Sequence, residues 1–394
     1  MRIAYVSVDP GIPVFGTKGA SVHIQEVVRE LIARGHDVTV YATRIGDDVP
    51  ADLADLRVVP VKVAKGDPAA RERAQQDASA EMVTRILADG ADLVYERYSL
   101  FSTVLARVTA ASDAVGVLEV NAPLIDEQKK HRDMVDENGA WAALRAQVHA
   151  AAATICVSDP VSAWVRRHTD GDRVHTVANG VSVTRILPQP EDDDVVVTFV
   201  GTLKPWHGTS VLIDAAGMAR EPWTVRVVGD GPERAALEAQ AARLGVDVDF
   251  RGAVAPEEMP AHLAGSAIGV APYPASVEDG DQYFSPLKVY EYLAAGLPVV
   301  ASSVGQLPGI ITDEGVLVAP SDPAALARAL DRLAADPESR RAMGAKARER
   351  AVSDHSWSGV VDSILGLALS EGDGGPSSPL APSSPARLRD QHDG

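Results

Sequence analysis

The most constraining feature of this sequence is a regular alternation of short apolar segments with helical patterns, which restarts once along the chain. Residues 3–8 form the first apolar segment, and apolar residues between Ile24 and Ile32 then recur at the spacing of one helix face. Gly35 is expected to end that helix, because glycine adopts the left-handed conformation at little cost. Strands and helices in alternation predict a parallel sheet covered on both faces.

Both halves of the chain contain several predicted strands. In the first half they are residues 3–8, 38–42, 56–63, 93–95, 116–120 and 154–157, with a further helix over 80–87. In the second half they are residues 195–200, 224–228, 248–250, 268–271 and 299–301, with helices over 233–244 and 323–333. We therefore predict an α/β fold of two Rossmann-like, doubly wound domains that face a central cleft. Ligands bind such sheets beyond the carboxyl ends of the strands.

The predicted boundaries follow shifts in composition. Residues 1–187 form the N-terminal domain and residues 195–354 the C-terminal one. Residues 188–194 contain prolines and then acidic residues, which is typical of an exposed linker. Residues 355–370 are predicted to form a C-terminal helix that packs back on the N-terminal domain. Residues 371–394, rich in Gly, Ser, Pro and charge, are predicted to be disordered.

Charge and cysteine content restrict the partners and the compartment. The net charge of −18 disfavours nucleic acid and an anionic membrane surface as partners. The single cysteine, Cys156, cannot form a disulfide within the chain, which favours a reducing compartment, and its apolar neighbours indicate a core position. The chain opens on a strand and has no run of about 18 apolar residues, so we expect a cytoplasmic protein without signal peptide or membrane span.

A glycine-containing loop follows the first predicted strand and leads into a helix. Its residues Gly16, Lys18, Gly19 and Ala20 would let the backbone approach a ligand, and the N–H groups at the helix start favour an anion. The loop lacks the Gly-x-Gly-x-x-Gly spacing of dinucleotide-binding proteins, which disfavours a dehydrogenase. A plain surface loop remains an alternative interpretation.

Two loops of the second half occupy equivalent positions after strands. In the first, Gly201 and Thr202 precede Lys204 and His207, which we expect to act as cations toward a departing diphosphate; a solvated loop lysine is the alternative. The second loop contains Gly229 and Gly231, which allow close backbone approach, and Pro232, which suits the first turn of a helix. A tight structural turn accounts for this second loop equally well.

The segment 285–298 is the most informative stretch. We expect Ser285 to be the N-cap of a helix and Pro286 its first residue, which leaves the N–H groups of Leu287 and Lys288 free for phosphate oxygens. Glu291, three residues after Lys288, shares that helix face and could accept hydrogen bonds from two adjacent hydroxyls, as on a ribose. The segment therefore indicates a nucleotide diphosphate. A surface Lys–Glu pair is the alternative.

These motifs, in this order, resemble the retaining GT-B glycosyltransferases of family 4. The resemblance extends to about residue 370 and includes the segments 21–23, 35–38 and 177–181. It implies transfer of a sugar from a nucleotide-diphosphate donor with retention of configuration, without a metal or a cofactor. The roles it implies are catalytic for Lys204, Lys288 and Glu291; donor-binding for Gly201, Thr202, His207, Gly229, Gly231, Pro232, Arg251, Tyr283, Ser285, Pro286 and Leu287; and acceptor- or phosphate-binding for Gly16, Lys18, Gly19, Ala20, His23, Asn121 and Glu127.

The sequence also departs from the family pattern. Tyr283 occupies the position of the first of two glutamates, and nearby Glu278, Asp279 and Asp281 are out of register. Thr202 and His207 stand where the family has two phosphate-binding cations, so Lys204 and Lys288 are expected to take that role. In the first domain the family often has a histidine near the acceptor; here Asn121 occupies that region, and His131 lies further along the chain.

The acceptor is inferred from charge alone. Lys129, Lys130, His131 and Arg132 form the one basic candidate for membrane contact, and acidic residues follow at once. We therefore expect a soluble small molecule, such as a polyol, a cyclitol or a natural-product intermediate. A nucleotide-sugar isomerase and a nucleotide-sugar-binding protein without catalysis are the alternatives. The sequence leaves UDP or GDP, the sugar and the catalytic base open, and a homodimer is a candidate oligomeric state.

Overall fold

A computed structural model describes residues 1–275 and 282–370. Within these residues the chain forms two α/β units, each with a parallel sheet between layers of helices. Glu278, Asp279 and Asp281, and the predicted disordered tail, lie outside the described residues.

The first sheet has seven strands in the order β3-β2-β1-β4-β5-β6-β7, and every recorded pairing is parallel. The switch in strand order next to β1 is the place where doubly wound sheets bind ligands. The strands are β1 (Arg2–Ser7), β2 (Asp37–Ala42), β3 (Arg57–Pro60), β4 (Leu93–Arg97), β5 (Val115–Val120), β6 (Ala153–Cys156) and β7 (Val174–Thr176). Their helices are α1 (Gly19–Ala33), α2 (Pro68–Asp89), α3 (Val104–Ala111), α4 (Leu124–His131), α5 (Glu137–Ala150) and α6 (Asp159–His168).

The second sheet has six parallel strands in the order β10-β9-β8-β11-β12-β13. The strands are β8 (Val195–Val200), β9 (Trp223–Val228), β10 (Val248–Gly252), β11 (Ile268–Ala271), β12 (Val299–Ser302) and β13 (Gly315–Val318). The helices are α7 (Thr209–Ala216), α8 (Arg234–Leu244), α9 (Met259–Leu263), α10 (Leu287–Ala294), α11 (Leu307–Ile310), α12 (Pro323–Ala335), α13 (Pro337–Asp354) and α14 (Trp357–Leu369). The predicted fold class is confirmed.

The sequence patterns missed two strands and shortened one helix. The strands β7 and β13 are edge strands of three and four residues, and neither is uniformly buried, so they lack the apolar runs that identify the central strands. The helix α2 spans 22 residues rather than the predicted 80–87, because its polar first half faces solvent and carries little apolar periodicity.

The last helix, α14, follows the second domain in sequence but packs on the first. It contacts α1 and the strands β5 and β6. Trp357 is 3% exposed, and its ring meets the His23 imidazole edge to face at 4.9 Å. The backbone N–H of Trp357 donates to the Val181 carbonyl. The end of the chain therefore ties the second domain back to the first.

The segment 188–194 is exposed but fastened to the second domain. The Glu191 carboxylate pairs with Arg340 at 2.7 Å, and the Asp192 N–H donates to the Gly265 carbonyl. Throughout residues 1–275 and 282–370, each helix is too short or too polar to cross a bilayer.

Candidate active site

Two helix N-termini, one from each domain, meet between the sheets. A side chain on Gly19, the first residue of α1, would place its Cβ 3.1 Å from the Leu287 Cδ1 atom at the start of α10. Neither helix has an acidic residue in its first turn. Within the described part of the chain, no hydrogen-bond partner is recorded for the backbone N–H groups of Gly19, Ala20, Leu287 or Lys288. Free N–H groups and two positive dipole ends make this position suited to an anion.

The start of α10 differs from the prediction. The helix begins at Leu287, and Pro286, with non-helical φ and ψ angles, occupies the N-cap position that we had assigned to Ser285. The Ser285 hydroxyl instead accepts a hydrogen bond from the Asn179 N–H at 3.1 Å. Because Asn179 belongs to the first half of the chain, Ser285 joins the two domains rather than capping the helix. The prediction of a Ser285 cap was wrong.

Lys288 is a buried lysine for which no ion pair is recorded among the described residues. Its side chain is 7% exposed, and its ammonium has no hydrogen-bond partner among the described residues. The ammonium lies 4.2 Å from the centre of the Phe199 ring and 4.9 Å from that of Tyr273, which stabilise it through cation–π contacts. Burial lowers the pKa of Lys288 to about 7. An unpaired buried ammonium is costly, so its place beside the α10 N-terminus makes Lys288 a candidate functional residue.

His207 is not the cation that we expected. Burial, with the nearby charges of Lys288 and Lys204, lowers the pKa of His207 to about 3, so its imidazole is neutral at physiological pH. Its Nδ1 atom lies 2.5 Å from the Thr202 carbonyl oxygen, a geometry in which Nδ1–H donates to that carbonyl. The Nε2 atom then remains as a hydrogen-bond acceptor. In these surroundings His207 is a neutral hydrogen-bonding group rather than the expected cation.

Lys204 lies in the same loop as His207. Its ammonium lies 4.5 Å above the ring of Trp206, which is 58% exposed. The positive charge of Lys204 contributes to lowering the pKa of the neighbouring His207 imidazole. Its role toward phosphate stays a prediction.

Glycines in the two loops of the second domain serve mainly to let the loops pack together. A Cβ on Gly229, whose φ is +144°, would lie 1.9 Å from the Gly201 carbonyl oxygen, and one on Gly231 would lie 2.4 Å from the Leu203 carbonyl oxygen. The structural-turn interpretation thus accounts for both residues. Pro232 precedes α8, which begins at Arg234, so its predicted place in the first turn was wrong.

Glu291 lies one turn into α10, and no hydrogen bond to its carboxylate is recorded within the described residues. Burial raises the pKa of Glu291 to about 7, and the charges of Arg185 and Lys288 oppose that rise. Arg185 in turn donates to the buried Glu26 of α1 at 2.7 Å. Arg185 and Glu26 had no place in the sequence interpretation, because neither belongs to a glycine loop or to the segment 285–298.

Tyr283 crosses between the domains. Its hydroxyl donates a short hydrogen bond to Glu127 of α4, and its carbonyl accepts one from the Ser158 hydroxyl at 2.6 Å. Burial raises the pKa of the Glu127 carboxyl. Tyr283, at the position where the family has a glutamate, and Glu127, assigned to the acceptor side, are therefore in direct contact.

Replacing Tyr283 with phenylalanine should lower the free energy of unfolding by about 1–3 kcal/mol, because the half-buried Glu127 loses its donor. Urea denaturation of the variant and the wild type measures this. The control is Tyr98→Phe, since the buried Tyr98 hydroxyl has no recorded partner and its removal should cost little. Equal losses in both variants would show that the Tyr283–Glu127 bond does not stabilise the structure.

The remaining predicted residues are dispersed. His23 is 3% exposed, and its Nε2 atom lies close to a Glu119 carboxylate oxygen inside the first domain, so its ring is part of the core beneath the loop. Asn121, at the carboxyl end of β5, accepts from Arg97 at 2.5 Å. Arg251 is on the edge strand β10 and pairs with Asp249 at 2.7 Å. The recorded partners of His23, Asn121 and Arg251 are thus residues other than those at the converging helix ends.

Lys18 and Gly16 frame the start of α1. Lys18 is the exposed N-cap residue and makes no side-chain cap hydrogen bond, whereas the Gly16 carbonyl accepts from the buried Gln25 amide at 3.1 Å.

Over residues 1–275 and 282–370, no cluster of three or more His, Cys, Asp or Glu side chains is arranged to hold a metal. Cys156 is buried, and burial raises the pKa of its thiol to about 12, as suits a core residue.

Comparison with known proteins agrees with this architecture. The chain is similar to D-inositol 3-phosphate glycosyltransferase of Salinispora tropica, with 33% identity over 51% of this chain and 46% of the relative. It spans about half the length of that relative. It is also similar to alpha-maltose-1-phosphate synthase of Mycolicibacterium smegmatis, with 28% identity over 93% of this chain and 98% of the relative. The structure of Anabaena HepE in complex with UDP superposes with a TM-score of 0.69 at 19% identity, over 93% of this chain and 98% of HepE.

Two Rossmann-like domains with facing sheets define the GT-B class of fold, which the structural similarity also shows. The model of the family described as Glycosyltransferase Family 4 matches residues 17–185, and that described as Glycosyl transferases group 1 matches residues 194–336. Between them the two models cover most of the chain. The chain belongs to family 4 of the GT-B glycosyltransferases.

Proposed function

We propose that this protein is a retaining glycosyltransferase that moves a sugar from a nucleotide-diphosphate donor to a soluble small-molecule acceptor. The proposal is carried by the buried Lys288 ammonium, which lies beside two converging helix N-termini and has no partner recorded in the part of the chain that the structure describes. These groups would neutralise a diphosphate. Glu291, one turn further along α10, would accept hydrogen bonds from the hydroxyls of the attached ribose.

The names of the relatives support a small polar acceptor. One relative is named for an inositol phosphate and another for a maltose phosphate, and the HepE structure contains UDP. We therefore favour a phosphorylated or unmodified polyol or sugar as acceptor and UDP or GDP as the nucleotide. Sedimentation with anionic vesicles tests the soluble acceptor, because tight binding of the protein to the vesicles would contradict it.

The proposed reaction exchanges one bond at the anomeric carbon for another. The bond from that carbon to the donor phosphate oxygen breaks as the acceptor oxygen bonds to the carbon on the same face. The acceptor proton passes to the leaving phosphate. Lys288, Lys204 and the helix N-termini would stabilise the negative charge that develops on the diphosphate. Such electrostatic stabilisation is usually the largest single contribution to catalysis.

We further propose that the transfer needs no divalent metal. Lysine side chains and backbone N–H groups would surround the bound diphosphate and supply the positive charge that a metal would otherwise provide. The turnover number should then change less than about twofold when EDTA is added and metal is omitted. A loss of activity on chelation that Mg²⁺ or Mn²⁺ restores would overturn this part of the mechanism. The intact fold in EDTA is checked by circular dichroism.

The deciding experiment incubates the purified protein with UDP- and GDP-sugars, with and without a panel of polyol, cyclitol and sugar-phosphate acceptors. A glycosyltransferase releases nucleotide diphosphate only slowly without acceptor and rapidly with the correct one. An isomerase would convert the donor alone and release little nucleotide. A protein that only binds nucleotide-sugars would show affinity without turnover under every condition. NMR of the product's anomeric proton tests retention.

A further inference from the structure

A buried arginine lies at the switch in strand order of the first sheet, and the proposed reaction gives it no task. Arg97 is the last residue of β4, and it is 7% exposed. The strand register sets it beside Ser7, the last residue of β1, on one side and beside Glu119 of β5 on the other. Because side chains alternate along a strand, Arg97 and Ser7 share the face on which Tyr95 stacks on Tyr5.

The Arg97 guanidinium uses only one of its N–H donors within the described residues. Its Nη1 atom donates to the Asn121 side-chain oxygen at 2.5 Å, and neither another hydrogen bond nor an ion pair within 4.0 Å is recorded for this side chain in residues 1–275 and 282–370. The Nε and Nη2 atoms are nevertheless not fully enclosed. A buried guanidinium is normally matched by acceptors, because an uncompensated charge is costly to bury. The remaining N–H groups are therefore the ones left for a ligand.

Two further donors next to Arg97 also lack a recorded partner in the described part of the chain. One is the hydroxyl of Ser7, a residue that is 1% exposed. The other is the buried amide nitrogen of Asn121, which faces away from Arg97 because the arginine can donate only to the amide oxygen. Enclosed polar groups are normally hydrogen-bonded. A guanidinium, a hydroxyl and an amide N–H at the ends of three adjacent strands together suit an oxyanion, which accepts hydrogen bonds.

Glu119, the carboxylate beside Arg97 in the register, is directed at helix α1. Its Oε1 atom lies close to the His23 Nε2 atom. Burial raises the pKa of Glu119, but His23 and Arg97 lower it by more, so that the pKa lies below its ordinary value and the group is ionised at neutral pH. Glu119 thus offsets part of the Arg97 charge from a distance and leaves its donors unoccupied. An oxyanion bound to the planar fork would add the hydrogen bonds that Glu119 does not make.

We propose that Arg97, with Ser7 and Asn121, binds an oxyanion carried by the acceptor, so that the enzyme glycosylates phosphorylated or carboxylated small molecules in preference to neutral ones. The inference rests on the proposed function and deepens it, since it names the acceptor class. The planar guanidinium matches the oxygens of a phosphate or a carboxylate two at a time. Arg97 has no recorded contact with Lys288 among the described residues, so the acceptor anion and the donor diphosphate would have separate cations.

The experiment compares acceptors that share a ring and differ in the anionic group: glucose, glucose 6-phosphate and glucuronate, and inositol beside inositol 1-phosphate. In wild type, kcat/KM for an anionic acceptor should exceed that for its neutral parent by about tenfold to a hundredfold, because hydrogen bonds to charged groups contribute that much. Arg97→Met should remove most of this preference and leave kcat/KM for the neutral parent within about twofold. The phosphate and carboxylate members show which oxyanion the site takes.

Arg97→Lys is the second variant, because it keeps the charge without the planar fork and should retain part of the preference. Arg57→Met is the matched control. Arg57 is on the edge strand β3, where its side chain is 61% exposed and pairs with Asp89 at 2.9 Å. It should leave the ratio of anionic to neutral acceptors unchanged, and circular dichroism checks that each variant is folded.

Three results would overturn the proposal. Wild type could transfer equally fast to neutral and anionic acceptors, or Arg97→Met could lower both rates by the same factor, which would leave a structural role. A weaker affinity of Arg97→Met for the nucleotide diphosphate, with its acceptor preference intact, would place Arg97 at the donor instead. Failure of the proposed function is a separate result, in which wild type transfers sugar to no acceptor of either kind.

Discussion

Replacing Lys288 with methionine is expected to lower the turnover number by about two orders of magnitude, since one fixed group that stabilises developing charge typically contributes that much. The same substitution should raise the melting temperature. Lys288 is 7% exposed, and no hydrogen bond or ion pair of its ammonium is recorded among the described residues, so its charged form is unfavourable in the folded protein. Methionine keeps the packing of the stem against Phe199 and Tyr273 and removes the charge.

The opposite effects on activity and stability separate this interpretation from simple unfolding. Burial lowers the pKa of Lys288 to about 7 in the folded protein, while the unfolded chain keeps the ordinary value of 10.5. Between these values the unfolded state binds the extra proton, so this residue makes wild-type stability rise with pH from about 7 upward. The methionine variant should lack that rise.

Both effects are measured by thermal melts across pH and by steady-state rates with whichever UDP- or GDP-sugar the activity assay identifies as the donor. Lys346→Met is the control, because Lys346 is exposed on α13 and paired with Asp313 at 3.0 Å. It should change neither quantity appreciably. Unchanged turnover in Lys288→Met would remove Lys288 from the catalytic residues.

Replacing Trp357 with alanine should lower the free energy of unfolding by about 3–5 kcal/mol, the usual cost of removing a buried aromatic side chain. Trp357 begins α14, is 3% exposed and packs its ring against His23 and Gly180 of the first domain. The substitution leaves a cavity between the end of the chain and the buried His23–Glu119 pair. It also weakens the attachment of α14 to the first domain.

Trp206→Ala is the matched control, because it makes the same tryptophan-to-alanine change at a residue that is 58% exposed. Its cost should stay within about 0.5 kcal/mol, as for most surface substitutions. Denaturant unfolding of the two variants beside wild type measures the difference. Similar losses in both would contradict the proposed importance of the α14 contact.

Local patterns in the sequence were sufficient for the architecture. The central strands β1, β8 and β11 are mostly apolar and buried, and α1 shows its buried face by helical spacing. Burial between two helix layers demands apolar residues whatever the partner is. The sequence patterns missed the edge strands β7 and β13 because these strands are only partly buried. An edge is half exposed, so its sequence is less constrained.

The sequence also identified the chemistry of the segment after residue 285, since a lysine and a glutamate on the first turns of a helix are recognisable wherever they occur. It could not determine their ionisation. Lys288 and Glu291 are displaced from their ordinary pKa values in opposite directions, and His207 is neutral, because of side chains and backbone that are distant in sequence. Desolvation depends on the whole surrounding volume, which no local pattern records.

The convergence of α1 with α10 was decided by tertiary structure alone. Gly19 and Leu287 touch, Glu26 reaches Arg185, and Tyr283 reaches Glu127, each across more than 100 residues of chain. Each partner is an ordinary residue in its own segment, and only the packing of the two domains makes it part of a site. The sequence by itself therefore determined two Rossmann-like domains and a helix start whose chemistry suits an anion. The tertiary structure decided which charges surround that start, because electrostatic interactions follow distance in space.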